Sequence, residues 1–441
     1  MTGDGPQLFR AAIFHTPENP FNLDRGDARA LVCYEDGGLL IDEGGILASG
    51  DYDVVRAAHP SAATTDWRGG FLLPGFVDTH IHFPQLRIIG ALGRTLLDWL
   101  EHVALPEEVR MSGVSYAADT ARQFLRALSS HGTTTALVFG AHFASATAEL
   151  FEAAAASGLR IVSGLVLSDR LLRPELHHTP EQAYRESEQL IERYHKRGRL
   201  LYAVTPRFAF STTEAMLEVC QQLLAAHKDV RMQTHINENL AEVAELAKLF
   251  PWAKDYLAVY DRYGLTTERS VMAHSIHTTD GELERMAAAG TAVAHCPGSN
   301  AALGSGTFPL ARHIEASVRC ALGTDVGGGI GFGMMKEALH AYLIQRLAPD
   351  PYVLDAARLL YLITLAGAEA LDLDDEIGDF RPGKSADFVY LKPPRDSVLA
   401  SVVRHADTPN QALASLFTMA GAESVCEVRV AGDIVYRAEQ T

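Results

Sequence analysis

The sequence predicts an α/β protein: a (β/α)8 TIM barrel with a small β-sandwich domain formed by the N- and C-terminal segments. Three observations carry that prediction. Apolar strand-like runs alternate with amphipathic helical stretches through the middle of the chain. Both chain ends read instead as short strands separated by tight turns. Histidines and an aspartate recur where the central strands stop, at the face where barrels of this type carry their active sites.

Taken in order, residues 1–70 hold β-like runs at 11–15, 30–34, 38–41 and 45–50, with turn signals at Asp36-Gly37-Gly38 and Glu43-Gly44-Gly45. Eight barrel strands follow, at 76–82, 133–139, 160–167, 200–205, 231–237, 270–277, 291–295 and 319–324. Helical stretches lie between and after them at 180–196, 213–226, 240–249, 280–289 and 334–347. The first of these opens on a capping box, Thr179-Pro-Glu-Gln182, with proline at its first position. The tail returns to strands at 386–391, 426–430 and 434–437. The chain therefore divides into a β domain of residues 1–70 plus 378–441 and a catalytic barrel of residues 71–377. An open doubly wound sheet is disfavoured because no G-x-G-x-x-G follows the first strand.

Composition sets the class of partner. The 441 residues are 47% hydrophobic and 21% charged, which suits a folded enzyme and excludes disorder. With 38 Lys+Arg against 55 Asp+Glu, the formal charge of −17 argues against nucleic acid and anionic membranes as partners. Five widely spaced cysteines without a CxxC fit a reducing, cytoplasmic setting. The first residues lack the basic and apolar regions of a signal peptide. The longest uncharged stretch, 127–148, contains His131 and His142 and is a poor membrane span.

The most informative stretch is Phe76-Val-Asp-Thr-His80-Ile-His82. Residues i and i+2 of a strand face the same way, so both imidazoles can enter the barrel mouth. Two neutral nitrogens at that spacing suit a borderline metal such as zinc. His235, His274 and Asp325 end the fifth, sixth and eighth strands. Any one of them alone reads equally as a core histidine or a helix-capping aspartate; together they converge on one face.

These residues lie in motifs that resemble the amidohydrolase superfamily: Pro74-Gly-Phe-Val-Asp-Thr-His-Ile-His82, Thr234-His235, Ala273-His274, His295-Cys-Pro-Gly-Ser-Asn300, Gly323-Thr-Asp325 and the tail Arg381-Pro-Gly-Lys-Ser-Ala-Asp-Phe-Val-Tyr-Leu391. Within it the chain is most similar to the guanine deaminase branch, through Phe83-Pro-Gln85, Leu96-Leu-Asp-Trp-Leu100, His131-Gly-Thr-Thr-Thr135, Thr205-Pro-Arg-Phe208 and His235-Ile-Asn-Glu238-Asn. The resemblance implies that His80, His82, His235 and Asp325 hold one Zn2+ per subunit, with Fe2+ as the other candidate. It implies that His274 is a hydrogen-bond partner of the metal's water or a loose ligand. The fourth strand ends Thr-Pro-Arg207 with no lysine, which supports one metal rather than two.

By the same resemblance, Glu238 carries a proton to the substrate ring and Asp325 takes one from water, with His274 beside them as catalytic residues. Gln85, Arg207 and Phe208 bind the purine together with His235, Glu238 and Asp325. The implied reaction is hydrolysis of guanine, the small-molecule partner, to xanthine and ammonia by a homodimer. Another aminated heterocycle, or a metal-free scaffold, are the competing readings. Spacing alone leaves Glu238 open as a helix N-terminal carboxylate, Arg207 as an ion pair and Phe208 as a core aromatic. Trp99 and Leu100 either wall the ring or pack a helix face.

Five features are set aside. Gly378-Asp-Phe-Arg-Pro-Gly-Lys-Ser385 matches a P-loop pattern, but four acids precede it and a β-like run follows where a helix is needed. His313-Ile-Glu315 lacks the P-C-x-x-C of the other zinc deaminase fold. Gly327–Gly333 reads as a loop that brings backbone close to the metal residues. Cys296 faces away from His295 along a strand. His177 and His178 are expected to be solvated loop residues.

Overall fold

Eight parallel strands, hydrogen-bonded in chain order, form a barrel wall in the computed structural model, which describes residues 5–24 and 26–439. They are Phe76–His82, Thr133–Phe139, Arg160–Gly164, Leu200–Pro206, Arg231–Ile236, Ser270–His274, Ala292–His295 and Arg319–Leu322, called first to eighth below. Nearly every residue in them is buried, as expected for strands covered on both faces. The eighth strand closes on the first. The Thr79 hydroxyl donates to the Leu322 carbonyl at 2.9 Å, and buried Asp78 accepts from the Thr324 amide (3.1 Å), the Thr324 hydroxyl (2.5 Å) and the His80 amide (3.2 Å). Gly323 permits that approach, since a Cβ there would lie 2.7 Å from His80 Cβ and 2.8 Å from its backbone nitrogen.

Four expected strands end early: the eighth stops at Leu322, and the other three stop for local reasons. The third breaks after Gly164, which lies against the Ala203 carbonyl so closely that a Cβ would sit 1.8 Å from that oxygen. Its continuation, Val166–Leu167, pairs separately with the fourth strand. The fifth and sixth stop where Asn237 (φ 51°), His274 (φ 75°) and Ser275 (φ 51°) turn left-handed, swinging the chain out of the wall. Helices pack around the wall with the expected caps. Thr279 and Asn239 form full capping boxes with Glu282 and Glu242. At Thr179 only half the box forms, because the Gln182 side chain donates to Glu186 instead.

The two chain ends build one β domain, as expected, and its hydrogen bonding runs through a single sheet of seven strands. These are Gln7–His15, Val32–Asp42, Gly45–Asp51, Ala63–Pro74, Phe388–Leu391, Val425–Val430 and Asp433–Arg437. The runs expected at 30–34 and 38–41 are one bulged strand. Ala63–Pro74 went unread because its first seven residues are mostly exposed and polar; it leads directly into the first barrel strand. The tail also contains two helices, Val398–Arg404 and Pro409–Met419, which the all-β reading of the C-terminus omitted. Phe9, Ile13, Leu39, Phe380 and Phe388 form this domain's own core.

Residues 83–113 fold over the C-terminal mouth of the barrel as short helices, among them Leu96–Trp99 and Leu105–Val109. Leu96, Trp99 and Leu100 pack there with Leu105, Phe208 and Leu303 as a separate apolar cluster. No described helix is long and apolar enough to cross a membrane.

Candidate metal and substrate site

The strand-end residues meet. His80 Nε2 lies 3.3 Å from His82 Nε2, and His82 Nε2 lies 3.2 Å from His235 Nε2. Asp325 Oδ1 is 3.3 Å from His80 Nε2 and 3.4 Å from His82 Nε2. The edges of a tetrahedron with zinc–ligand bonds of about 2.05 Å are about 3.3 Å long. Four of the six donor pairs therefore sit at the spacing one small divalent cation requires, and the three imidazole nitrogens all lie within 4.8 Å of one another. All four residues are buried. Burial also pushes all three imidazoles below the ordinary histidine range, which keeps them neutral and able to donate a lone pair.

Neighbouring groups set the ring orientations. His235 Nδ1 donates to the Arg207 carbonyl at 2.5 Å, which turns the Nε2 lone pair inward. The same carbonyl accepts from the His235 amide, so the loop after the fourth strand and the end of the fifth are coupled. His274 Nδ1 donates to Asn300 Oδ1 at 2.9 Å, leaving Nε2 3.5 Å from Glu238 Oε2 and 3.9 Å from Asp325 Oδ2. His274 thus belongs to the cluster at longer range than the other ring nitrogens.

Two carboxyl groups here are driven apart. Burial, reinforced by the Asp325 carboxylate, holds the Glu238 carboxyl well above its usual range. Burial would raise Asp325 too, but its hydrogen bond with His80 overcomes it and brings it to about 2. Glu238 has two weak protein contacts, the Ser305 hydroxyl at 3.4 Å and His274 Nε2 at 3.5 Å, and it lines the cavity.

That cavity is a thin slot. It holds about 330 Å³ between atoms, of which about 20 Å³ is open to the centre of a water molecule. His82, His235, His274, Glu238 and Asp325 form one end, and Gln85 and Arg207 line it as well. Phe208, Trp99, Leu100 and Leu303 supply apolar walls. Arg207 and Phe208 are buried at the slot, so neither the surface ion pair nor the simple core aromatic describes them fully.

Sequence reasoning missed three groups. Glu108 receives Arg207 Nη1 on both oxygens, at 2.8 and 2.9 Å, and Gln85 Nε2 at 2.8 Å. Burial would raise it, but Arg207, His142 and Gln85 bring it to about 2. His142 Nε2 lies 3.2 Å from Glu108 Oε2. Asn300 stood in a quoted motif without a role. Only Asn300 had a sequence signal; Glu108 and His142 had none. His178, expected to be solvated, is buried beside His142 with ring centroids 6.4 Å apart, and burial lowers it to about 4. The P-loop-like Gly378–Ser385 run is a structural turn whose Lys384 bonds Asp379 Oδ2 at 2.6 Å.

The comparisons with known proteins agree with this geometry. A family model described as "Amidohydrolase family" matches residues 71–435. A protein from Deinococcus radiodurans described as "Probable guanine deaminase" is 52% identical over 439 residues, covering 98% of this chain and 99% of that protein. "Guanine deaminase" of Escherichia coli K12 is 38% identical over 425 residues, 96% of this chain and 95% of that one. The solved structure of E. coli guanine deaminase superposes with a TM-score of 0.94 at 37% identity, covering 98% of this chain and all of that one. By a match across the barrel and by relatives of nearly full length, the chain belongs to the amidohydrolase family, alongside the guanine deaminases.

Proposed function

We propose that this protein is a guanine aminohydrolase, converting guanine and water to xanthine and ammonia. The observation that carries the reading is the convergence of three imidazole nitrogens and one carboxylate oxygen, with four contacts of 3.2–3.4 Å among them, beside Glu238 in a narrow cavity. The named activity of relatives at 52% and 38% identity supports the substrate.

His80, His82, His235 and Asp325 would hold one zinc ion, or iron in its place, with His274 as a longer-range partner. Such an ion, when bound, acts as a Lewis acid that makes water nucleophilic near neutral pH. The protein's own groups do the rest. Asp325, held as a carboxylate, accepts a proton from the attacking water. Glu238, held protonated, donates to the ring nitrogen and makes the adjacent C–NH2 carbon electrophilic. The proton taken by Asp325 passes to the amine, which leaves as ammonia, and the proton left on the new C–OH returns to Glu238 as the carbonyl of xanthine forms. His274 steadies the water from the other side. Arg207 and Gln85 grip the purine edge, and Phe208 with Trp99 walls its face.

The same proposal assigns this work to residues 71–377 and leaves the β domain, residues 1–70 plus 378–441, without a reacting group. It also places the enzyme in the cytoplasm as a homodimer; five free cysteines support the reducing setting. Light scattering of purified protein tests the dimer. Turnover of guanine, 8-oxoguanine, adenine, cytosine and thioether adenosines tests the substrate: guanine should have the highest kcat/KM, and faster turnover of any other overturns the reading.

A further inference from the structure

Glu108 stands in none of the motifs discussed above and lies on a helix of the mouth cover, Leu105–Val109, yet it is buried against Gln85 and Arg207, which line the slot. Three separate loops end on its carboxylate. Oε1 accepts from Gln85 Nε2 (2.8 Å) and Arg207 Nη1 (2.8 Å); Oε2 accepts from Arg207 Nη1 (2.9 Å) and lies 3.2 Å from His142 Nε2.

Gln85 is held at its other end as well, because the Gly327 amide donates to its Oε1 at 3.1 Å. Turning that amide over would place its NH2 against the Gly327 N–H and its oxygen against a carboxylate, so both bonds would be lost. Its orientation is therefore set by the protein before any ligand arrives. Arg207 is pinned in the same way through Nη1 alone. Among the described residues, the Arg207 Nε and Nη2 and the second amide N–H of Gln85 have no protein acceptor. This part of the slot is rich in donors.

Resting on the substrate reading above, we propose that Glu108 is a positioning residue for specificity: it holds Gln85 and Arg207 as a donor edge that accepts a purine carrying an exocyclic oxygen and rejects one carrying an amine there. An oxo group offers lone pairs to those N–H groups. An amine sets donor against donor and leaves buried groups unpaired, which a polar site discriminates strongly.

The test is Glu108→Gln, measured with guanine and with 2,6-diaminopurine, which keeps the reacting 2-amino group and carries an amine in place of the oxygen. With bound metal unchanged, KM for guanine should rise roughly tenfold and kcat should stay within about threefold. The preference for guanine over diaminopurine in kcat/KM should fall about tenfold, since the freed Gln85 amide can turn its oxygen to an amine. A purely structural role would lower activity on both substrates alike and leave that ratio intact, which overturns the inference. If E108Q does not fold, Glu108→Asp, which keeps the charge and withdraws it by one methylene, decides on the same two readouts. A wild-type protein inactive on guanine removes the substrate reading and this inference with it; an active wild type with an unchanged ratio in the variant removes the inference alone.

Discussion

The β domain and the barrel mouth both bury charge, and they do so in opposite ways. In the β domain, buried Lys384 donates to Asp379 (2.6 Å) and to the Ile377 carbonyl (2.9 Å), and Arg381 holds both Asp379 oxygens. Each charged group of this turn has a partner, and the turn is closed. In the mouth, His80, His82 and His235 point lone pairs at one another, and Glu238 keeps a proton that no neighbour strongly binds. Folding alone would select against that arrangement. Buried polarity paired within the protein is architecture, whereas buried donor atoms that converge on one point form a site.

Removing a ligand should show the largest contrast. His82→Ala is expected to reduce bound metal from one per chain to a small fraction, by elemental analysis, and to lower kcat/KM by roughly a thousandfold or more. Its far-UV circular dichroism should match wild type. Full metal retention would break the cluster as a ligand set. Next in size, Glu238→Gln should keep the metal and lose about 10²–10⁴ in kcat, the usual worth of a positioned acid or base. An unchanged kcat removes Glu238 from proton transfer.

Much of this contrast was legible in the sequence, and the illegible part has a physical reason. The barrel strands are buried on both faces, so continuous apolar runs marked them, and H-x-H spacing marked the face of the first. Where strands end could not be read, because left-handed residues such as Asn237 and His274 are allowed by tertiary contacts rather than by local preference. Ala63–Pro74 escaped notice because half of it is solvated. Glu108 and His142 escaped because their meaning is entirely a matter of what lies opposite, across 99 positions of chain to Arg207 in the case of Glu108.

Smaller effects sharpen the contrast further. Arg207→Leu should raise KM for guanine roughly tenfold to a hundredfold with a lesser change in kcat, since it removes a binding fork and no reacting group. Wild-type kinetics would return Arg207 to a structural role. In the β domain, Lys384→Met should do the reverse. It removes one of the two cationic partners of buried Asp379, leaving Arg381, and should cost about 2 kcal/mol of stability while leaving kcat and KM unchanged. A lower Tm with full activity per folded molecule is the expected result; a kinetic defect would mean that the two regions are coupled.

The smallest effect concerns acid. His15 of the β domain is buried, and its Nδ1 accepts the Phe380 amide at 3.3 Å; burial lowers it to about 4 from an ordinary 6.5. In the unfolded chain it takes a proton near pH 6.5, and in the folded chain only near pH 4. Between those values the unfolded state binds more protons, so stability falls as pH falls, by about 1.4 kcal/mol per pH unit for each such group. Below about pH 4 both states carry the proton and the contribution levels off. Buried His313 of the barrel, also lowered to about 4 by burial, adds the same slope over the same window. His15→Asn keeps an acceptor for the Phe380 amide but cannot titrate. Urea midpoints from pH 7 to pH 4 should therefore fall less steeply in that variant, by one histidine's share, with guanine turnover at pH 7 unaltered. An unchanged slope would mean that His15 is protonated in the fold, and that the β domain, like the mouth, holds a charge its neighbours do not fully satisfy.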